Sequence, residues 1–228
     1  MFRRVAPAVF LCAASVACSG GSHPAQTNIA TAADALAALA EKGAAASYTA
    51  TYAFHQASPD TTASVQVWRT DPSLRVDVVA GATTATLLVT RDGSYSCSIS
   101  GSKRSCLLVA GAGQALPKPF DVAPANLFSA DLRALAADSA AYDVKTAPSQ
   151  PRAGDVPAAQ CFDVAASVTG STPLVPAVPA GRYCFLADGL LADATFPSGN
   201  TVKLTSFDLA TPAPAQFTPY AKPTPLPS

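Results

Sequence analysis

From Ser47 the chain alternates apolar and polar residues with a period of two: Tyr48, Ala50, Tyr52 and Phe54 fall on one face, Thr49, Thr51 and His55 on the other. That pattern predicts a half-buried strand. Comparable runs follow at Thr62 to Arg69, Leu74 to Ala80, Thr84 to Thr90, Gly93 to Ile99 and Lys103 to Ala110, separated by Asp71-Pro72, Gly81, Asp92-Gly93 and Gly101-Ser102. Links this short predict an antiparallel meander. Ahead of it the period is helical: Thr31 can cap a helix that runs to Lys42, with Ala35, Leu36, Leu39 and Ala40 on one face and Gly43 as terminator. After the proline-rich stretch Gly113 to Pro124, a second helix is predicted over Ser129 to Ala140, carrying Leu132, Leu135 and Ala136 at helical spacing. The strand pattern then returns at Ala141 to Thr146, Ala159 to Val168, Arg182 to Leu186, Leu190 to Phe196 and Thr201 to Leu209.

The two ends read differently. Arg3 and Arg4 precede a 13-residue apolar stretch, Val5 to Ala17, too short to span a bilayer, which takes roughly 20 residues. Residues 1–17 are therefore expected to be a signal peptide. The run Ser15-Val16-Ala17-Cys18 resembles the bacterial lipobox, with Ser15 where leucine is usual, and implies a diacylglycerol anchor on Cys18. The alternative is an ordinary signal peptide cut nearby. Residues 18–28 are small, polar and patternless, as in a flexible tether. A single domain is expected over 29–220. Residues 221–228 are expected to be a mobile tail, although Phe217 and Tyr220 can pin the segment before it.

Charge narrows the partners. The chain has 15 basic and 15 acidic residues and no basic cluster, so nucleic acid is not expected to bind. Only 13% of residues are charged and 20 are prolines, which describes an apolar interior joined by long loops. A monomer is expected.

Six cysteines divide by context. Cys12 leaves with the leader and Cys18 is the lipid site, so Cys97, Cys106, Cys161 and Cys184 remain for two disulfides in an exported domain. A two-residue turn at Gly101-Ser102 sets Ser100 opposite Lys103, Ile99 opposite Arg104, Ser98 opposite Ser105 and Cys97 opposite Cys106. The last is a pair without backbone hydrogen bonds, about 4.5 Å apart at Cα and within reach of a disulfide. Cys161 and Cys184 then pair by elimination. No two cysteines are spaced for zinc or redox chemistry, and there are only two histidines.

Nothing in the chain points to catalysis. His23 lies in the tether, His55 follows a strand close to a turn, and no Gly-x-Ser-x-Gly elbow accompanies a serine. Asp188 and Asp193, which flank Gly189-Leu190-Leu191, read as turn-formers. There is no calcium loop, phosphate loop or dinucleotide fingerprint, so neither cofactor nor metal is expected.

The order of lipobox, helix, strands, crossing helix and further strands resembles the LolA and LppX-like lipoproteins. The matching text is Tyr48-Thr49-Ala50-Thr51-Tyr52, Val67-Trp68-Arg69, Leu74-Arg75-Val76-Asp77, Asp92-Gly93-Ser94-Tyr95-Ser96-Cys97 and Arg104-Ser105-Cys106. It continues in Tyr183-Cys184-Phe185, Asp188-Gly189-Leu190 and Phe207-Asp208 to Phe217-Thr218-Pro219. The cysteine pairs look like those of exported actinobacterial members. The resemblance implies an α+β fold: a strongly curved antiparallel sheet, an unclosed barrel, with helices packed on its concave side around a cavity for acyl chains or whole lipids. It further implies a protein lipid-anchored on the extracytoplasmic side of the cell membrane that binds or shuttles an apolar ligand. Leu36, Leu39, Tyr52, Phe54 and Trp68 are the candidate lining residues, under a lid formed by the first helix. Apolar runs predict burial and not what is buried, so the same residues can pack a dry core. The alternative function is then an interaction or regulatory lipoprotein of the envelope without a bound ligand.

Overall fold

The computed structural model describes residues 31–117, 120, 124–137, 141–149, 159–167 and 178–226. The leader, Cys18 and the tether lie outside these residues, as does most of the proline-rich link between Cys161 and Cys184.

Helix α1, Ala32–Ala45, opens on a capping box: the Asp34 amide donates to the Thr31 hydroxyl, and the Asp34 carboxylate accepts from the Thr31 backbone amide and hydroxyl. Those donors hold the Asp34 carboxyl below the usual carboxylate range. Six strands follow as the predicted meander: β1 Tyr48–Ala57, β2 Asp60–Thr70, β3 Ser73–Ala80, β4 Thr83–Val89, β5 Gly93–Ser100 and β6 Lys103–Gly111. The chain then crosses the sheet by a turn of π-helix, Leu127–Asp131, that continues into α2, Leu132–Ala137. It returns through β7 Tyr142–Ala147, β8 Gln160–Ala166, β9 Gly181–Phe185, β10 Leu191–Thr195 and β11 Thr201–Asp208.

Strand β11 pairs with β1, so the two meanders fuse at the centre of one twelve-stranded sheet, whose last strand is the short β12, Thr224–Pro225, in the order β12-β6-β5-β4-β3-β2-β1-β11-β10-β9-β8-β7. All pairings are antiparallel except a two-residue bridge from β12, Thr224–Pro225, to Leu107 and Leu108 of β6. That bridge lies inside the stretch expected to be a tail. The outer strands do not meet, so the barrel is unclosed. Register shifts at Thr51/Tyr52, Ser94/Tyr95 and Leu191/Asp193 insert bulges that increase local twist and bend the sheet. At the first, Thr205 turns its hydroxyl onto the Thr51 carbonyl, 2.9 Å away.

Both helices bury their apolar faces against the concave side, where Leu36, Ala40, Leu132 and Leu135 join Tyr48, Tyr52, Val65, Val67 and Val76 in one core. Burying such side chains is worth roughly 1.5–3 kcal/mol each. Part of the convex side, around Trp68 and Arg75, is covered as well. The segment after β11 lies across it: the Arg75 Nη1 donates to the Gln216 carbonyl at 3.2 Å, and the guanidinium sits 5.1 Å from the Trp68 ring and 5.8 Å from that of Tyr220. Arg75 also pairs with Asp77, which accepts from Thr86. This cover is why strands such as Leu87-Leu88-Val89 are apolar on both faces.

Two helix boundaries differ from expectation. The second helix begins at residue 125, four residues early, because Pro124 starts a helix as readily as it ends a loop; residues 138–140 lie outside the described set. Helix α1 runs past Gly43, which does not terminate it. Gly43 is instead the point where α1 meets the turn after β9: a Cβ there would strike the Gly189 carbonyl oxygen. Gly189 is itself at φ +84°, a conformation that favours glycine. In an exposed helix Gly→Ala gains about 1 kcal/mol. Here Gly43→Ala is expected to have the opposite sign, losing about 1–3 kcal/mol through overpacking against backbone. Urea denaturation measures the sign directly.

Candidate functional site

The hairpin register derived from Gly101-Ser102 is present in full, with Ser100 opposite Lys103 and Cys97 opposite Cys106. Both disulfides form, Cys97–Cys106 and Cys161–Cys184, each with its Cα atoms 4.0 Å apart across adjacent strands. Cys161–Cys184 ties β8 to β9, the strand that follows the Pro179-Ala180 rim of an apolar cavity.

That cavity, of about 340 Å³, opens at one end of the half-barrel between β1, β11, the hairpin after β10 and the π-helical turn. Burial grades along it. Phe54, Pro124, Leu127, Asp131 and Val202 form the buried end, Phe196, Asn126 and Asn200 the middle, and Pro179, Ala180, Pro197 and Ser198 the exposed rim. Each comes from a different local rule. Phe54 is the last inward residue of the β1 alternation, and Val202 the first of β11. Leu127 and Asp131 are four residues apart on one side of the π-turn. Asn200 is held by accepting a hydrogen bond from the Ala57 amide at 3.0 Å, which fastens the β10–β11 turn to the end of β1. The rim is braced at Pro179, whose carbonyl accepts from the Tyr183 hydroxyl at 2.7 Å. Burial, and then the nearby Asp131 charge, push the Tyr183 phenol far above its usual range. It therefore stays a neutral donor.

Of the five residues expected to line a cavity, Phe54 is the one found in the lining of this pocket. Leu36 and Tyr52 are fully buried between α1, α2 and the sheet, with the Tyr52 ring 4.8 Å from that of Phe128, and Leu39 packs partly buried against the same core. Trp68 lies on the convex face under Arg75. Alternation with the inward Val65 and Val67 already requires that side for Trp68. Other lining residues, Leu127, Asp131, Phe196 and Val202, come from three separate segments. No spacing in the sequence connects them.

Of the groups considered for chemistry, His55 sits at the end of the β1–β2 hairpin with Nδ1 3.5 Å from the Asp60 carboxylate. Asp188 accepts from the Leu190 amide as a turn-former. Among the described residues no group of three or more His, Cys, Asp or Glu could hold a metal ion. No helix among them is long and apolar enough to cross a membrane.

Fold and cavity together define an open half-barrel with a packed concave face and an apolar pocket at one end. No family model and no curated protein sequence matches the chain. Its fold is similar to the crystal structure of MucB (TM-score 0.45, 18% identity, covering 82% of this chain and 62% of that one). It is similar also to the MucA/MucB complex of Pseudomonas aeruginosa (0.48, 17%, 82% and 60%) and to a DUF1329 family protein from Desulfovibrio piger (0.34, 10%, 82% and 97%). The chain thus spans about three fifths of the MucB chains. Likeness at these scores carries no functional inference.

Proposed function

We propose that this is an exported, non-enzymatic lipoprotein of the LolA and LppX-like kind. Lipid on Cys18 holds it at the extracytoplasmic side of the cell membrane, and it binds one lipid or other apolar ligand in the pocket between Phe54, Leu127, Phe196 and Val202. The observation that carries the reading is the pocket itself: apolar walls, a few convergent polar groups and an exposed rim, the usual make-up of a small-molecule site. Its volume is near the lower end of the roughly 300–1,000 Å³ range of such sites, which suits one chain better than a whole diacyl lipid. Two disulfides support an oxidising compartment.

The test uses the full chain carrying Cys18→Ser, exported to a bacterial periplasm and purified without detergent. Mass spectrometry of extracted lipids is expected to find a stoichiometric apolar molecule, and the protein is expected to bind a fluorescent fatty-chain probe. Ala180→Trp, at the exposed rim, should cut probe affinity about tenfold or more with an unchanged melting temperature. Lipid-free protein that also fails to bind the probe would overturn the reading.

A second reading, an interaction protein of the envelope without ligand, is favoured by the packing of α1 and α2 into the concave face, where their apolar residues share one core with the sheet. Against it, Leu209 and Leu226 are the only large exposed hydrophobics among the described residues.

A further inference from the structure

We propose that the C-terminal segment 209–226 is the resident occupant of a peptide-docking surface on the convex face, and that an extended segment of a partner protein, carrying an aromatic residue, takes its place there. The surface runs from Arg75 of β3 to the outer edge of β6. The chain itself shows how such a segment is held. Its contacts fall four residues apart: the Gln216 carbonyl accepts from Arg75 Nη1, the Tyr220 ring lies 5.8 Å from the Arg75 guanidinium, and Thr224 with Pro225 bridges Leu107 and Leu108. The first and third are made to backbone and specify an extended chain, as in strand addition to a sheet edge. The second asks for an aromatic ring.

The resident segment is lightly held. From 209 to 226 Pro212 alone is buried, and Leu209 and Leu226, 51% and 37% exposed, stand at its two ends. A segment with so little buried surface opens at low free energy. Its strand β12 pairs with two of the nine residues of β6 and includes Pro225, which has no amide proton to donate. The Thr224 hydroxyl stands 3.5 Å from the Cys106 carbonyl, long for a hydrogen bond. The surface beneath is more firmly built than its cover. Arg75 donates to the Asp77 carboxylate from Nε at 2.9 Å and from Nη2 at 2.7 Å, the Thr86 hydroxyl holds Asp77 at 2.7 Å, and the Trp68 ring lies 5.1 Å from the guanidinium. None of these contacts involves the segment, so the surface is organised before a partner arrives. A tethered occupant competes at an effective concentration of roughly millimolar. A partner therefore displaces it by adding contacts, and further pairing along β6 supplies them.

The test uses the full-length Cys18→Ser chain and a fluorescent peptide copying Thr211 to Ser228, followed by anisotropy. Tyr220→Ala in the protein loosens the resident segment and is expected to raise peptide affinity about fivefold, since binding in trans is reduced by the fraction of molecules whose surface is covered. The same Tyr220→Ala change in the peptide is expected to lower affinity about fivefold. A second peptide carrying Pro223→Val, Pro225→Val and Pro227→Val, which gains three amide donors facing β6, should bind the parent chain about tenfold or more tighter than the copy. Failure of both peptides to bind overturns the proposal. So does a valine peptide no tighter than the copy, or a Tyr220→Ala protein whose affinity for the copy is unchanged or lower. A parent chain that dimerises at micromolar concentration in sedimentation, and that the peptide dissociates, assigns the surface to a second copy and overturns the partner. Should Tyr220→Ala not fold, the two peptides on the parent chain decide. None of these outcomes depends on what the cavity beside Phe54 binds.

Discussion

Arg69→Ala is expected to lower stability by about 4 kcal/mol, the sum of a buried and a part-buried carbonyl that each lose a donor and the space vacated by a large side chain. Arg69 is 2% exposed, the largest fully buried side chain among the described residues. It projects from β2 into the core, donates from Nη1 to the Ala44 carbonyl at 3.1 Å and from Nη2 to the Phe128 carbonyl. Ala44 is in the last turn of α1, where carbonyls lack partners within the helix and the dipole favours a cation. Phe128 is in the π-turn that carries Leu127 and Asp131. One guanidinium thus joins the sheet, the end of α1 and the wall of the pocket. Its Nε has no acceptor among the described residues, which offsets part of the gain. For a chain of this size the loss corresponds to a fall in melting temperature of roughly 10 °C. Arg69→Met, which keeps bulk without donors, should lose about half as much. Urea denaturation followed by circular dichroism measures both; a loss under about 1 kcal/mol for Arg69→Ala would mean that the guanidinium is not the tie.

Replacing Cys161 and Cys184 together by alanine is expected to cost about 3 kcal/mol, since the bridge closes a loop across 23 positions and restricts the unfolded chain accordingly. Both cysteines are buried, so lost packing adds to the chain-entropy effect. The functional consequence should be separable from the stability loss. The bridge fixes β9 beside β8, and the residues immediately before β9 form the pocket rim braced by Tyr183 and Pro179. Probe binding at a temperature where the variant is still folded is expected to weaken, with no comparable change in the Cys97→Ala, Cys106→Ala double variant, whose bridge lies in the β5–β6 hairpin away from the pocket. Equal binding by both variants would show that the rim does not depend on the bridge.

Much of the architecture was legible in the chain because it depends on short-range regularities. A period of two marks strands, a two-residue turn sets a register, and that register paired Cys97 with Cys106 down to the facing residues. The capping residue Thr31 and the closing of β1 to β6 into a meander follow in the same way. Alternation also assigned faces wherever it was obeyed: it places Trp68 outward beside the inward Val65 and Val67, and the expectation that Trp68 lines a cavity set aside that rule.

What only the tertiary structure decided are the contacts between segments far apart in the chain. Alternation puts Arg69 on the inward face, yet nothing in the sequence says that two helix carbonyls wait there to receive its guanidinium, and an arginine without such partners would be too costly to bury. Gly43 reads as a helix terminator until Gly189 is brought against it from 146 residues away. The pocket is assembled where β1, the π-turn and the β10–β11 hairpin converge, so Asp131 becomes a site residue by position alone. Local patterns declare which side of an element is buried; the fold determines whether that side meets another element or a cavity, because shape complementarity between distant segments has no period along the chain.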